Sequence, residues 1–135
     1  MEFSWIPDSA GVGWVFRTRN GNNYYATRLS LQQRATKAVL VAEHFNVFSG
    51  VESAHSLKVI PLLSNVGSVR VHMDAIGPVF KLFLENKLAD IWTDSRLPSG
   101  ALGFYDNGGR QPKVQALSFT FIKAGVTRTA MASIP

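Results

Sequence analysis

Cysteine is absent from this sequence of 135 residues, which excludes disulfide bonds, thiolate metal sites and cysteine nucleophiles. Long apolar runs are absent too, because the longest, KAVLVAEHF (37–45), falls far short of the ~18 residues that a membrane-spanning helix needs. The N-terminal MEFSWIPDSAG (1–11) lacks the long apolar core of a secretory signal. We therefore expect no membrane insertion. The localisation stays open, being extracytoplasmic if this chain is a fragment of an exported protein.

A basic patch is also missing, although the formal net charge is +5. The 14 lysines and arginines are scattered along the chain, and their densest group is RTR at 17–19. Because tracking of phosphates requires a stripe or patch of positive charge, we expect no nucleic-acid partner.

What the sequence does contain is a repeated alternation of apolar and polar residues. The clearest case is VRVHMDA (69–75), and GVGWVFRTR (11–19), NYYATRLSL (23–31) and VFKLFLE (79–85) alternate in the same way. A period of two indicates a strand with one buried face. Turn-forming residues recur about every ten positions. We expect an all-β protein with about nine or ten strands, arranged as a two-sheet antiparallel β-sandwich.

Two segments depart from this alternation. SLQQRATKAVLVAEH (30–44) combines helix-favouring Gln, Arg, Ala and Lys with the β-branched core of AVLVA. The flanking strands favour a strand here as well, with a helix as the alternative. AGVTRTAMASIP (124–135) loses the alternation, so we expect a single domain over residues 1–122 and a partly ordered tail over residues 123–135.

The segment AGVGWVFRTRNGNNYYATRLSL (10–31) resembles the G-L-x-F-R-x-x-D-x-x-N-Y-Y-x-x-R pattern of concanavalin A-like lectin and glucanase jelly rolls. It is most similar to their laminin-G-like branch and to bacterial domains of unknown function attached to sugar-active proteins. The run SVRVHMDAIGPVFKLFLENKLADIWTDSRLPSGALGFYD (68–106) resembles the later strands of the same family. Its turn reads ENK (85–87) where the family has Asp-Gly or Asn-Gly, so we expect a different loop geometry there.

The resemblance implies either binding or hydrolysis of carbohydrate. Glucanases of this fold carry two carboxylates on one strand, as their mechanism requires. The glutamates of this chain stand alone, at Glu2, Glu43, Glu52 and Glu85. We therefore expect no catalytic residue, with a glycoside hydrolase that uses an atypical site as an alternative. The neighbouring Ser53 and His55 have no nucleophile elbow around them, which indicates a polar loop.

Calcium is the one cofactor that the resemblance suggests. Laminin-G-like relatives hold it with an aspartate and backbone carbonyls at the rim of the sandwich, where Asp94 and Asp106 are the candidates here. A hard cation requires several oxygen ligands, and the sequence has no acidic cluster. We therefore expect no metal or other cofactor, and Asp94 is expected to cap a turn.

The positions that alternate with the apolar ones along these strands carry arginine, histidine and aromatic residues. We expect these residues to share one sheet surface, which is concave in relatives. Aromatic rings stack on the apolar faces of sugars, and charged donors bind hydroxyl groups. The predicted ligand-binding residues are Arg17, Tyr24, Arg28, Arg70, His72, Phe83 and Tyr105. The sequence thus indicates a non-catalytic carbohydrate-binding module. Alternatively, these side chains only brace the sheet in a protein-interaction or structural domain, and a sheet edge could form a homodimer.

Overall fold

The computed structural model describes residues 1–7, 11–34, 36–61, 67–105, 114–123 and 126–132. This part of the chain contains no helix and twelve strands, namely β1 (Glu2–Trp5), β2 (Val12–Asn20), β3 (Asn23–Arg34), β4 (Lys37–Phe48), β5 (Val51–Glu52), β6 (Ser56–Pro61), β7 (Val69–Ile76), β8 (Val79–Leu84), β9 (Lys87–Thr93), β10 (Ala101–Tyr105), β11 (Val114–Lys123) and β12 (Val126–Ala132).

The strands form two antiparallel sheets, which confirms the predicted fold class. Sheet A has the order β12-β11-β1-β7-β8-β9, and sheet B has the order β10-β2-β3-β4-β5, with β6 also pairing with β4. The ambiguous segment 30–44 supplies the end of β3 and most of β4, so strand was the right choice over helix. Twelve strands exceed the expected nine or ten, since short elements such as β5 carry little alternation.

The two sheets pack face to face through the apolar residues of one parity. Trp14 and Phe16 of β2 are buried against sheet A, with Trp14 Nε1 donating to Met73 Sδ at 3.0 Å. The ring of Phe16 meets that of Phe80 edge to face, with centroids 5.1 Å apart. Leu82 of β8 is fully buried in the same cluster. Each large apolar side chain buried in this way contributes about 1.5–3 kcal/mol to folding.

The C-terminal segment 123–135 was expected to be a partly ordered tail. Val126–Ala132 within it forms β12, which pairs antiparallel with β11. The division of the chain into a domain and a tail stays a prediction.

The β8–β9 hairpin corrects one expectation about loop geometry. Glu85 and Asn86 both have positive φ, at 50° and 63°, and Leu84 pairs directly with Lys87. Positive φ at both central residues is what a two-residue type I′ loop requires. The ENK turn therefore adopts the geometry that Asn-Gly normally takes, without a glycine.

Candidate functional site

The seven predicted ligand-binding residues do not share one surface. Tyr24, Arg28 and Tyr105 belong to sheet B, whereas Arg70, His72 and Phe83 belong to β7 and β8 of sheet A. Strand parity only separates inward from outward side chains, and a sandwich has two outward faces on opposite sides. The expectation of a single shared surface was wrong for this reason.

Arg17 lies on neither open face. Its φ of 52° and a register shift in β2 between Phe16 and Asn20 turn its side chain toward sheet A. There the guanidinium donates to the backbone oxygens of Ala75 at 3.0 Å, Gly77 at 2.6 Å and Leu97 at 3.2 Å. Arg17 thus ties β2 to the β7–β8 turn, and a ligand contact by this residue stays a prediction.

The three predicted residues of sheet A interact with their own neighbours. His72 Nε2 lies 2.7 Å from Asp74 Oδ1, and the His72 ring is 5.6 Å from that of Phe83. Glu2 approaches both His72 and Arg70, at 3.8 Å and 4.0 Å. These contacts are those of cross-strand partners that brace a solvated sheet. Whether these side chains also contact a ligand stays a prediction.

The outer face of sheet B carries a transverse row of residues that are direct cross-strand partners. Tyr105 pairs with Gly13, Gly13 with Arg28, Arg28 with Glu43, and Glu43 with Leu57. The row crosses β10, β2, β3, β4 and β6, which at the usual strand spacing is about 19 Å.

Tyr105 lies flat across the start of this row. A Cβ added to Gly13 would be 2.2 Å from Tyr105 Cζ and 2.6 Å from its hydroxyl oxygen, so the ring covers the glycine. Burial raises the pKa of Tyr105 to about 12, with Arg28 acting against the shift and Glu43 adding to it. The phenol therefore reaches over β2 toward Arg28.

Arg28 is the unusual member of the row. Its Nε is buried and has no hydrogen-bond partner, and its guanidinium forms no ion pair with any residue that the structure describes. A buried donor without an acceptor costs about 1–3 kcal/mol, and more when it is charged. Arg28 is thus a charged side chain of this face whose Nε has no acceptor among the described residues.

A second row beside the first forms the floor of the face. Gly103, Val15, Ala26 and Phe45 are successive cross-strand partners. Ala26 is fully buried but lies outside the core cluster between the sheets, as expected for a small residue covered from the outer side. The outer face above β3 is thus closely covered by its neighbouring side chains, with Phe45 at one end of the row.

At the far end of the floor stands a group of residues that sequence analysis did not assign to the site. The ring of His55 stacks on Phe45, with centroids 4.0 Å apart and planes within 5°. Its Nδ1 binds Glu43, and its Nε2 lies 3.3 Å from Glu52 Oε2. The sequence offered one signal for Glu43. If the turn between β3 and β4 is placed at 35–36, antiparallel pairing of the two strands puts Glu43 opposite Arg28. His55 gave none, because its position depends on the path of the chain after β5.

Ser53 behaves as the sequence indicated. Its Oγ accepts a hydrogen bond from the Asn46 amide at 3.0 Å and donates to the Ala54 carbonyl at 3.1 Å. These local contacts fasten the polar loop that leads from β5 to β6.

Asp94 caps the loop after β9, as expected. It accepts hydrogen bonds from the Tyr25 hydroxyl at 2.7 Å and from the backbone amide of Arg96 at 3.0 Å, and it also pairs with the Arg96 guanidinium. Hydrogen bonding from Arg96 holds the pKa of Asp94 at about 2. Its oxygens are therefore occupied by donors. Asp106, the other calcium candidate, lies outside the described residues.

The described residues show neither a metal-ligand cluster nor a membrane-spanning helix. They contain no group of three or more His, Cys, Asp or Glu side chains that could hold a metal ion. No helix in them is long and apolar enough to span a membrane.

The comparisons with known proteins do not identify the function of this chain. No protein-family model matches the sequence, and no curated protein matches it. Among solved structures, a carbohydrate-binding module, CBM66 from Bacillus subtilis, matches with 20% identity and a TM-score of 0.47, over 78% of this chain and 65% of that one. The chain thus spans slightly less than two thirds of that module. The function of the present chain therefore has to be inferred from its own residues.

Proposed function

We propose that this protein is a non-catalytic module that binds carbohydrate through the outer face of sheet B. The observation that carries the proposal is the buried Nε of Arg28, which has no hydrogen-bond partner. Carbohydrates offer many oxygen acceptors, and a charged donor held in place beforehand binds them without the cost of ordering a flexible side chain.

The surroundings of Arg28 suit a sugar better than other ligands. Tyr24, Phe45 and Tyr105 are half-buried aromatic residues on the same face, and such rings can pack against the apolar side of a pyranose or furanose. The carboxylate of Glu43 offers acceptors for hydroxyl protons. A few polar groups among aromatic ones is the usual composition of a small-ligand site.

This proposal narrows the predicted set of binding residues. Tyr24, Arg28 and Tyr105 are kept, Phe45 and Glu43 are added, and the sheet A residues are assigned to bracing. Membership of the concanavalin A-like group, and of its laminin-G-like branch, is part of the same proposal, since the two-sheet fold is compatible with it but does not require it.

A glycan array followed by calorimetric titration tests the proposal. Arg28→Ala should weaken binding of the best array glycan by tenfold or more, because a hydrogen bond to a charged group contributes roughly 1.5–3 kcal/mol. Arg70→Ala is the matched control, since it removes an arginine from the opposite face of the sandwich. Binding that survives Arg28→Ala but is lost in Arg70→Ala would place the ligand on sheet A and refute the proposal.

One observation keeps hydrolysis as a second candidate function. Glu43 and Glu52 bind the two nitrogens of the same imidazole, which places their carboxylates within the roughly 5–10 Å range that glycosidases use. A hydrolase would release reducing ends from the glycan that binds, and Glu43→Gln would abolish that release. A binding module should release none above the level of a buffer control.

A further inference from the structure

An ion pair that the register of sheet B favours is missing from its outer face. Arg28 and Glu43 are direct cross-strand partners, and opposite charges in that position attract one another across the ~5 Å between their Cβ atoms. In the structure Glu43 instead binds the imidazole of His55, while Arg28 Nε has no partner. His55 and Arg28 therefore compete for one carboxylate, and His55 holds it.

His55 is fixed by three contacts that come from two different strands. Phe45 and Glu43 of β4 supply the stacking partner and the acceptor for Nδ1, and Glu52 of β5 faces Nε2. Both nitrogens of an imidazole can donate only when the ring is protonated. The protonated ring is therefore the form that holds both glutamates at once.

The charges around His55 favour that protonated form. Burial alone would lower the pKa of His55, but the hydrogen bonds and charges of Glu43 and Glu52 outweigh it and raise the pKa above its ordinary value. Farther along the face lie three other titratable groups, namely Arg28 and Tyr24 of β3 and the phenol of Tyr105 on β10.

The basic residue of the neighbouring strand β6 does not take part. Lys58 lies across from Ala42 on the side that faces sheet A, and its Nζ is 4.0 Å from Asp90 Oδ1. No second cation among the described residues thus competes with His55 for Glu43 apart from Arg28.

We infer that His55 is a positioning residue for Arg28, because by binding Glu43 it keeps that carboxylate away from the guanidinium and leaves Arg28 open to a ligand. The inference rests on the proposed function, in which Arg28 is the ligand contact. As the pH rises through the pKa of His55, the imidazole loses its charge and keeps a single N–H, so it can no longer hold both glutamates. Glu43, the cross-strand partner of Arg28, can then pair with the guanidinium, so a glycan must displace it and binds more weakly at higher pH.

The free protein provides the test, so no glycan is needed. Nitrogen-15 NMR follows the Nε–Hε signal of Arg28 and the ring signals of His55 in one pH series. We expect the Arg28 signal to shift with the same midpoint as His55, since a new acceptor reaches Nε when the imidazole is deprotonated. An Arg28 signal that stays constant across the titration of His55 would overturn the inference.

Two matched variants separate positioning from a merely structural role. In Glu43→Gln the Arg28 transition should disappear while His55 still titrates, and an unchanged Arg28 transition there would also overturn the inference. In Glu52→Gln the transition should remain and move to lower pH, because one of the two charges that stabilise the imidazolium is lost. Failure of glycan binding would refute the proposed function and leave these results unaffected.

Discussion

At the residue scale, two histidine–aspartate pairs of equal length differ in their surroundings. His44 Nδ1 lies 2.7 Å from Asp90 Oδ2 between the sheets, where the side chain of Asp90 is only 3% exposed. His72 Nε2 lies 2.7 Å from Asp74 Oδ1 on the outer face of sheet A, with side chains 36% and 38% exposed. Water can replace the histidine of the exposed pair but has little access to the carboxylate of Asp90.

We therefore expect the two histidines to differ in their contribution to stability. His44→Ala removes the partner of Asp90 Oδ2, leaving this buried carboxylate with the Ile91 amide at 2.9 Å and Lys58 Nζ at 4.0 Å. It also removes a ring stacked on Trp92 at 4.0 Å, so it should lower the free energy of unfolding by about 1.5–3 kcal/mol. His72→Ala breaks a solvated pair and should cost less than about 1 kcal/mol. Urea denaturation measures both, and equal losses would contradict this assignment.

A second residue-scale prediction concerns acid. The pKa of Asp94 is about 2, which is below the ordinary value of an aspartate, chiefly because Arg96 donates hydrogen bonds to its carboxylate. A group with a depressed folded-state pKa stabilises the protein above its unfolded pKa, and that contribution is lost as the pH falls through the folded one. The contribution of Asp94 should thus disappear between about pH 4 and pH 2.

The variant Asp94→Asn isolates this contribution. Its melting temperature should fall less steeply than that of the wild type over the same pH range, because Asn does not titrate. Parallel curves for the two proteins would show that Asp94 is not responsible for the loss of stability at acidic pH.

At the element scale, strand β2 needs a glycine where β10 approaches it. Gly13 has an ordinary strand conformation, but a Cβ there would overlap the ring of Tyr105. Gly13→Ala should displace that ring from the face and expose its phenol, so that the pKa of Tyr105 falls from about 12 toward its ordinary value near 10. Ultraviolet titration of tyrosinate measures the change.

Val15→Ala is the control for this substitution. It alters the same face of β2 one pair away, opposite Gly103, and should leave the titration of Tyr105 unchanged. The same pKa shift in both variants would mean that the ring responds to any loosening of β2.

The β8–β9 hairpin offers a prediction about backbone strain. Asn86 has a φ of 63°, a region that glycine enters freely and that asparagine tolerates better than alanine. Asn86→Gly should raise the free energy of unfolding by about 0.5 kcal/mol, and Asn86→Ala should lower it by about 1 kcal/mol. The opposite order of these two variants in urea denaturation would contradict a left-handed residue in this loop.

Element type and burial could be predicted from the sequence because they depend on local periodicity. Trp14, Phe16 and Leu82 lie in the core, as their parity indicates. Arg17 departs from its parity because a register shift interrupts β2, and nothing in the neighbouring residues signals that shift. Trp5 is also fully buried in the core.

At the scale of the whole molecule, the assignment of strands to sheets could not be predicted from the sequence. That assignment determines which residues share the surface of the candidate site. β1 pairs with both β7 and β11, which are distant in sequence, and this places β7 and β8 in sheet A. Arg28 and Arg70 both stand at outward-facing positions in the alternation of their strands, so the sequence pattern does not distinguish them. Because their strands belong to different sheets, the two arginines lie on opposite sides of the sandwich. Pairing between distant strands is a property of the complete chain and has no local signal.

In the part of the chain that the structure describes, both sheets end in edge strands, at which the sequence suggested self-association. β6 and β9 are edge strands that expose Leu57, Val59, Leu88 and Ile91. A homodimer through such an edge stays a prediction, and sedimentation equilibrium over a range of concentrations tests it. A monomer at every concentration would reject it, with no effect on the binding site proposed for the outer face of sheet B.

Chemical-shift mapping by NMR with the best array glycan tests the central claim most directly. If the ligand binds the outer face of sheet B, saturation should shift the signals of Arg28, Phe45 and Tyr105 and leave those of Arg70, His72 and Phe83 in place. Shifts confined to the sheet A residues would contradict the account.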